Sequence, residues 1–255
     1  MDGKLAEAVL LTSHARVALA GVLPFALNLS HSAFKYTSSL RFELDSGAAA
    51  DAASVVATSP EGWFEYLQSS GVHSLALRSG AMICVSGAAP ERAWQQTSDL
   101  VKPRPADGRI WAVRYQELKV PPAGSELDVD GATARLVEVV EACEALARDA
   151  KENGWSAFFG RARSEMKPEP GSPLQQSNLL PPRGYSDAAQ RLLRGCELAW
   201  ALGGMGSWND LYLEDHELAR RYDRVTPQLS SALHASVPAA VNSALCESMG
   251  SQVSK

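Results

Sequence analysis

The spacing of apolar residues changes near residue 125, and this change constrains the fold more than any other feature of the chain. Before it, short segments alternate apolar with polar side chains, as strands half-buried in a sheet do. After it, apolar residues recur every three or four positions, as on the inward face of a helix. Pro121-Pro122-Ala123-Gly124-Ser125 punctuates the boundary. The sequence therefore predicts an α+β chain in two parts. Residues 1–124 form an α+β domain with a small, mainly antiparallel sheet, and residues 125–255 form a helical domain. A chain of 255 residues, 45% hydrophobic and 21% charged, has the composition of a globular protein with a substantial core.

In the first part, residues 5–19 read as an amphipathic helix that ends at or before Pro24. Residues 36–44 alternate and predict a strand. Residues 47–56 are alanine-rich and give no clear element. Ser59-Pro60-Glu61 is a serine cap with proline at the first helical position, opening a helix that carries Trp63, Phe64, Tyr66 and Leu67. Residues 72–77 and 81–85 predict two strands joined by a tight hairpin at Arg78-Ser79-Gly80. Pro90-Glu91-Arg92-Ala93-Trp94 predicts a short helix, and residues 109–119 a further strand.

In the second part, residues 132–150 predict a strong helix capped by Asp130, with Leu136, Val139, Val140, Cys143 and Leu146 on one face. Asn153-Gly154 should stop or kink it, and residues 155–166 should resume it. The proline-rich residues 167–184 predict a loop. Ser186 caps a helix over residues 187–202. Thr226-Pro227 reads as another cap opening the last helix, which runs towards Cys246 with a kink at Pro238, and residues 247–255 should fray. Leu136, Val140, Cys143, Trp155, Phe159, Leu193, Cys196 and Trp200 are expected to share one core.

Between two helical patterns lies Gly203-Gly204-Met205-Gly206-Ser207-Trp208-Asn209-Asp210. Gly203 or Gly204 suits the left-handed residue that closes a helix. Ser207, Asn209 or Asp210 suits a cap at the start of the next one. Met205 and Trp208 are expected to fold back onto the core. A competing reading presents Trp208 at the surface of a binding loop. A third makes an anion nest of the Gly204 and Gly206 amides, but the turn has no phosphate-loop lysine and does not match GxGxxG.

With Trp155, Phe158 and Phe159 upstream, this turn resembles the GGMGSxND motif of a family of small, uncharacterised bacterial helical domains, over less than half of the chain. The resemblance implies a bacterial protein with a helical fold and no established activity. Some relatives are small cytoplasmic proteins of the kind found near toxin genes.

The remaining chemistry is sparse. A net charge of −5 and a pI near 5.6 argue against a nucleic-acid partner. Cys84, Cys143, Cys196 and Cys246 are widely spaced in apolar surroundings, as reduced core residues would be. The apolar stretch 9–29 is broken by His14 and Arg16, so neither an export signal nor a membrane span is expected, and the cytoplasm is the expected location. Asp210, Asp215 and His216 have no second histidine at helical spacing. Glu126, Asp128 and Asp130 lack the later ligands of a calcium loop. No metal and no cofactor are expected. Arg161, Arg163, Arg191 and Arg194 could make a local basic patch, but neighbouring acids balance much of it.

The expected function is that of an immunity protein that binds and neutralises a basic bacterial toxin. Trp208, Asp210, Glu214, Asp215 and Glu217 would make the contact, while Gly203, Gly204, Gly206, Ser207 and Asn209 shape the turn. The alternatives are an enzyme built around Ser207, Asp210 and His216, and a structural adaptor subunit.

Overall fold

The alternating segments of the first half become strands β1 (Thr37–Leu44), β2 (Ser54–Ala57), β3 (Val72–Arg78), β4 (Met82–Gly87), β5 (Arg92–Leu100) and β6 (Trp111–Lys119). They come from a computed structural model that describes residues 1–44, 54–87, 91–119 and 128–244. The strands form one sheet of order β2-β1-β6-β5-β4-β3. All neighbours are antiparallel except β1 and β6, which run parallel. The sheet is therefore mixed, and the antiparallel expectation is met only in part. The last strand enters between β1 and β5, a long-range pairing that no local period encodes.

One row of the register sets Phe42 beside Tyr115 and Tyr115 beside Gln96. On that face Leu40, Phe42, Trp94, Val113 and Tyr115 are buried. Arg41, Gln95, Arg114 and Gln116 on the other face are exposed, the alternation of a sheet covered on one side. Helices α1 (Gly3–Leu19) and α2 (Pro60–Ser69) pack against β3, with α1 also reaching β4 and α2 reaching β2. Ser59 caps α2 as expected, accepting from Gly62 N at 3.1 Å.

Two local readings fail here. The helix expected from Pro90 to Trp94 is strand β5 from Arg92 onwards, and Pro90 lies outside the described residues. β5 is paired on both sides, by β4 and β6, and that ladder overrides the local proline signal. The unassigned stretch also yields β2, an edge strand, with residues 45–53 outside the description.

Glu7 of α1 lies within this core at 5% exposure. Its Oε1 accepts from Thr37 Oγ1 at 2.8 Å and its Oε2 from Gln96 Nε2 at 2.6 Å. Burial pushes its carboxyl up to about 7.

The chain divides into two compact units. Gly3–Gly124 and Leu179–Gly184 make one; Met1–Asp2, Ser125–Asn178 and Tyr185–Lys255 make the other. Leu179 and Leu180 are buried, and Leu179 O accepts from Ser13 Oγ at 2.8 Å.

The helical unit holds α3 (Val129–Asp149), α4 (Asn153–Met166), α5 (Asp187–Ala199) and α6 (His216–Asn242). Asp128, not Asp130, caps α3, accepting from Gly131 N at 2.7 Å. The break after α3 falls at Lys151, whose φ of 61° is left-handed, so Asn153 opens the next helix instead of closing the last. Ser186 caps α5, accepting from Ala189 N at 3.2 Å. Thr226-Pro227 does not start a helix. α6 runs through Pro227 and Pro238, with Val225, Leu229, Ala232 and Leu233 keeping its buried face continuous. Packing overrides the proline signal there. Leu136, Val140, Cys143, Phe159, Leu193 and Cys196 are buried as expected, whereas Trp155 and Trp200 are only half-buried. Cys246, Glu126 and the tail lie outside the described residues. Among the described residues no helix is long and apolar enough to cross a membrane.

Candidate functional site

The chain leaves α5 at Trp200, whose ψ of 81° is non-helical, and returns at Trp208. The return is closed by Trp208 N donating to Ala201 O at 2.9 Å. Between them the turn is held by its own side chains. Asn209 Oδ1 accepts from Gly203 N at 3.2 Å and from Ser207 Oγ at 2.6 Å. Asp210 Oδ2 accepts from Gly206 N at 2.9 Å and from Ser207 N at 3.3 Å. Gly206 is left-handed at φ 81°, as a glycine in the turn should be, but Gly203 and Gly204 are not. The helix-closing role foreseen for those two does not hold, because the chain exits α5 through Trp200 instead. The Gly206 amide already meets the Asp210 carboxylate, so the turn's own anion sits where a bound phosphate would.

Trp208 has no exposed surface. It is therefore not presented to a partner, and its surface role is corrected. Its Nε1 donates to Thr226 Oγ1 at 3.0 Å, and its carbonyl accepts from Tyr222 OH at 2.7 Å. Its ring meets Phe159 at 5.0 Å, Tyr222 at 5.4 Å and Trp155 at 5.6 Å between centroids. An aromatic cluster anchors the turn from beneath. Met205 behaves in the opposite way. It was expected against the core, yet it stands fully in solvent at 102% exposure, and Tyr212 just beyond the turn is 83% exposed. No sequence signal marks these two, because nothing local tells an inward apolar side chain in a glycine turn from an outward one.

The acids follow. Asp210, Glu214, Asp215 and Glu217 are exposed. Asp215 caps α6, its Oδ1 accepting from Glu217 N at 2.8 Å and Leu218 N at 2.9 Å. Those amides, Leu218 first, hold its carboxyl below its ordinary value. Glu217 pairs with Arg220 at 2.6 Å on open surface. The α6 cap thus falls to Asp215, which the sequence reading did not assign, while Asp210, one of the expected caps, braces the turn itself.

No family model, no curated protein and no solved structure matches this chain at a significant level.

The enzyme alternative rests on Ser207, Asp210 and His216. Ser207 Oγ donates to Asn209 Oδ1 at 2.6 Å and only at 3.5 Å to the Asp210 carboxylate. Among the described residues, no hydrogen bond joins His216 to Ser207 or Asp210. Among them too, no three histidine, cysteine or acidic side chains stand together as metal ligands would.

Proposed function

We propose that this chain is a bacterial interaction protein, an immunity protein that binds a cognate toxin in the cytoplasm. The observation that carries the binding role is the exposure of Met205 on a turn pinned by Trp208, and of Tyr212 just beyond it. A fully solvated methionine on a segment braced by hydrogen bonds presents apolar surface in a fixed shape. Preorganised apolar anchors with a polar rim are what a protein interface needs, over about 800 Å² per partner. Glu214 supplies an acid at the rim suited to a basic partner, while Glu217 beside it is paired with Arg220. The resemblance of the GGMGSWND turn to small bacterial domains, some encoded near toxins, supplies the toxin as partner class.

Co-expression with proteins encoded beside this gene tests the reading. The expected outcome is that one neighbour is toxic alone, is tolerated with this protein, and is recovered with it on purification. The double variant Met205→Ser/Tyr212→Ser, with unchanged melting, should lose at least about tenfold in affinity. Absence of any protected neighbour, or an unchanged affinity, would count against the proposal. Asp215 is unsuited to a charge-reversal test because it caps α6. Glu214→Lys with Glu217→Lys is the cleaner pair.

A further inference from the structure

A second feature of the helical unit, lined by no residue of the turn, bears on a ligand of its own. Arg161 and Arg163 on α4 and Arg191 on α5 line one open groove of about 600 Å³. Pro168 and Pro173, from the segment after α4, border it. The volume lies in the range of small-molecule sites. The charge of the groove runs against that of the molecule. The chain is acidic at −5, yet the charged residues lining this groove are three arginines and a single carboxylate, Glu165.

Two of these arginines are already fixed in place. Arg163 Nε donates to Glu144 at 2.8 Å, which leaves its two terminal nitrogens for another partner. Arg191 is mostly buried and donates to Glu165 at 3.3 Å and to Ser172 O at 3.0 Å. Arg161 is exposed and makes no ion pair among the described residues. A helix face of small residues, Ala157, Gly160 and Ser164, leaves the groove open beside them. α4 and α5 approach closely, and a Cβ on Gly195 would come within 2.3 Å of Met166.

We propose that this groove binds a small polyanion bearing phosphate or carboxylate groups. Planar guanidinium forks match such oxyanions, and two of the three forks are held by carboxylates before any ligand arrives. Arg161 closes on the ligand from the rim as its main free cation. The proposal stands independently of the toxin-binding reading.

The test is titration of the full-length protein with pyrophosphate and, separately, with citrate, at constant ionic strength against a chloride control. Calorimetry gives the affinity, and the arginine Nε–H resonances give the place. Saturable binding with shifts at Arg161 and Arg163 is expected for at least one probe. Pyrophosphate alone identifies a phosphate ligand, citrate alone a carboxylate one. Arg161→Ala should weaken binding about tenfold and Arg161→Glu should abolish it. Arg135→Ala, an exposed control on α3, should leave it unchanged. No saturable binding of either probe, or full affinity in Arg161→Glu with an unaltered melting temperature, overturns the proposal.

Discussion

Trp208 and Glu7 show how far a residue's surroundings can depart from its chemical type. The indole of Trp208 is enclosed by Phe159, Trp155 and Tyr222 and satisfied by Thr226. Trp208→Ala should therefore cost about 3–5 kcal/mol in denaturant unfolding. Trp155→Ala and Trp200→Ala should cost less, because both rings keep solvent contact. Equal losses for all three would refute the anchor role. Glu7 is the reverse case, a carboxyl enclosed by α1, β1 and β5. Burial raises it from 4.5 to about 7, while its bonds from Thr37 and Gln96 pull the other way. A carboxyl that holds its proton more tightly when folded stabilises fully below its unfolded value. That contribution is lost as pH rises through about 7. Glu7→Gln should gain on the wild type by about 3 kcal/mol between pH ~4 and ~8. His14, held down to about 4 by burial and then by His31, titrates in the same span with opposite sign. Both proteins carry it, so their difference in urea midpoint isolates Glu7. A constant difference across pH would contradict the assignment.

At the scale of elements, two of the expected caps hold, whereas Asp130 gives way to Asp128 and Thr226-Pro227 opens no helix. Ser59 and Ser186 cap the helices that the sequence assigns to them, because a cap is a contact within one turn. Pro227 is a breaker by local rules, yet α6 passes through it. A proline removes one backbone bond and crowds the preceding turn. Here the buried stripe on either side of it outweighs that cost. Since Pro227 is exposed, its replacement leaves no cavity. Pro227→Ala should raise stability by about 1–2 kcal/mol, less than the full helix penalty because proline also restricts the unfolded chain. A lower melting temperature in this variant would mean that the proline is needed for the course of α6. The turn before α6 was legible as a helix-to-helix connection with a left-handed glycine. Which glycine, and which apolar side chain points outwards, was not.

For the whole molecule, the units do not follow chain order. Leu179–Gly184 packs with the sheet unit although the residues on both sides of it belong to the helical one. Leu179→Ala and Leu180→Ala should each destabilise the sheet unit by about 2–4 kcal/mol. Hydrogen exchange should report this as faster opening of α1, whose Ser13 bonds Leu179 O. Changes confined to the helical unit would contradict the division. By itself the sequence determined the α+β class, the change of period near residue 125 and most helix spans. These follow from side-chain spacing and from contacts within a turn or two. Only the tertiary structure decided that β6 lies parallel beside β1, that residues 92–100 form a strand, that Trp208 is buried while Met205 is not, and that three arginines line one groove. Each of these depends on which distant segment supplies the neighbour, and a local pattern carries no information about that choice.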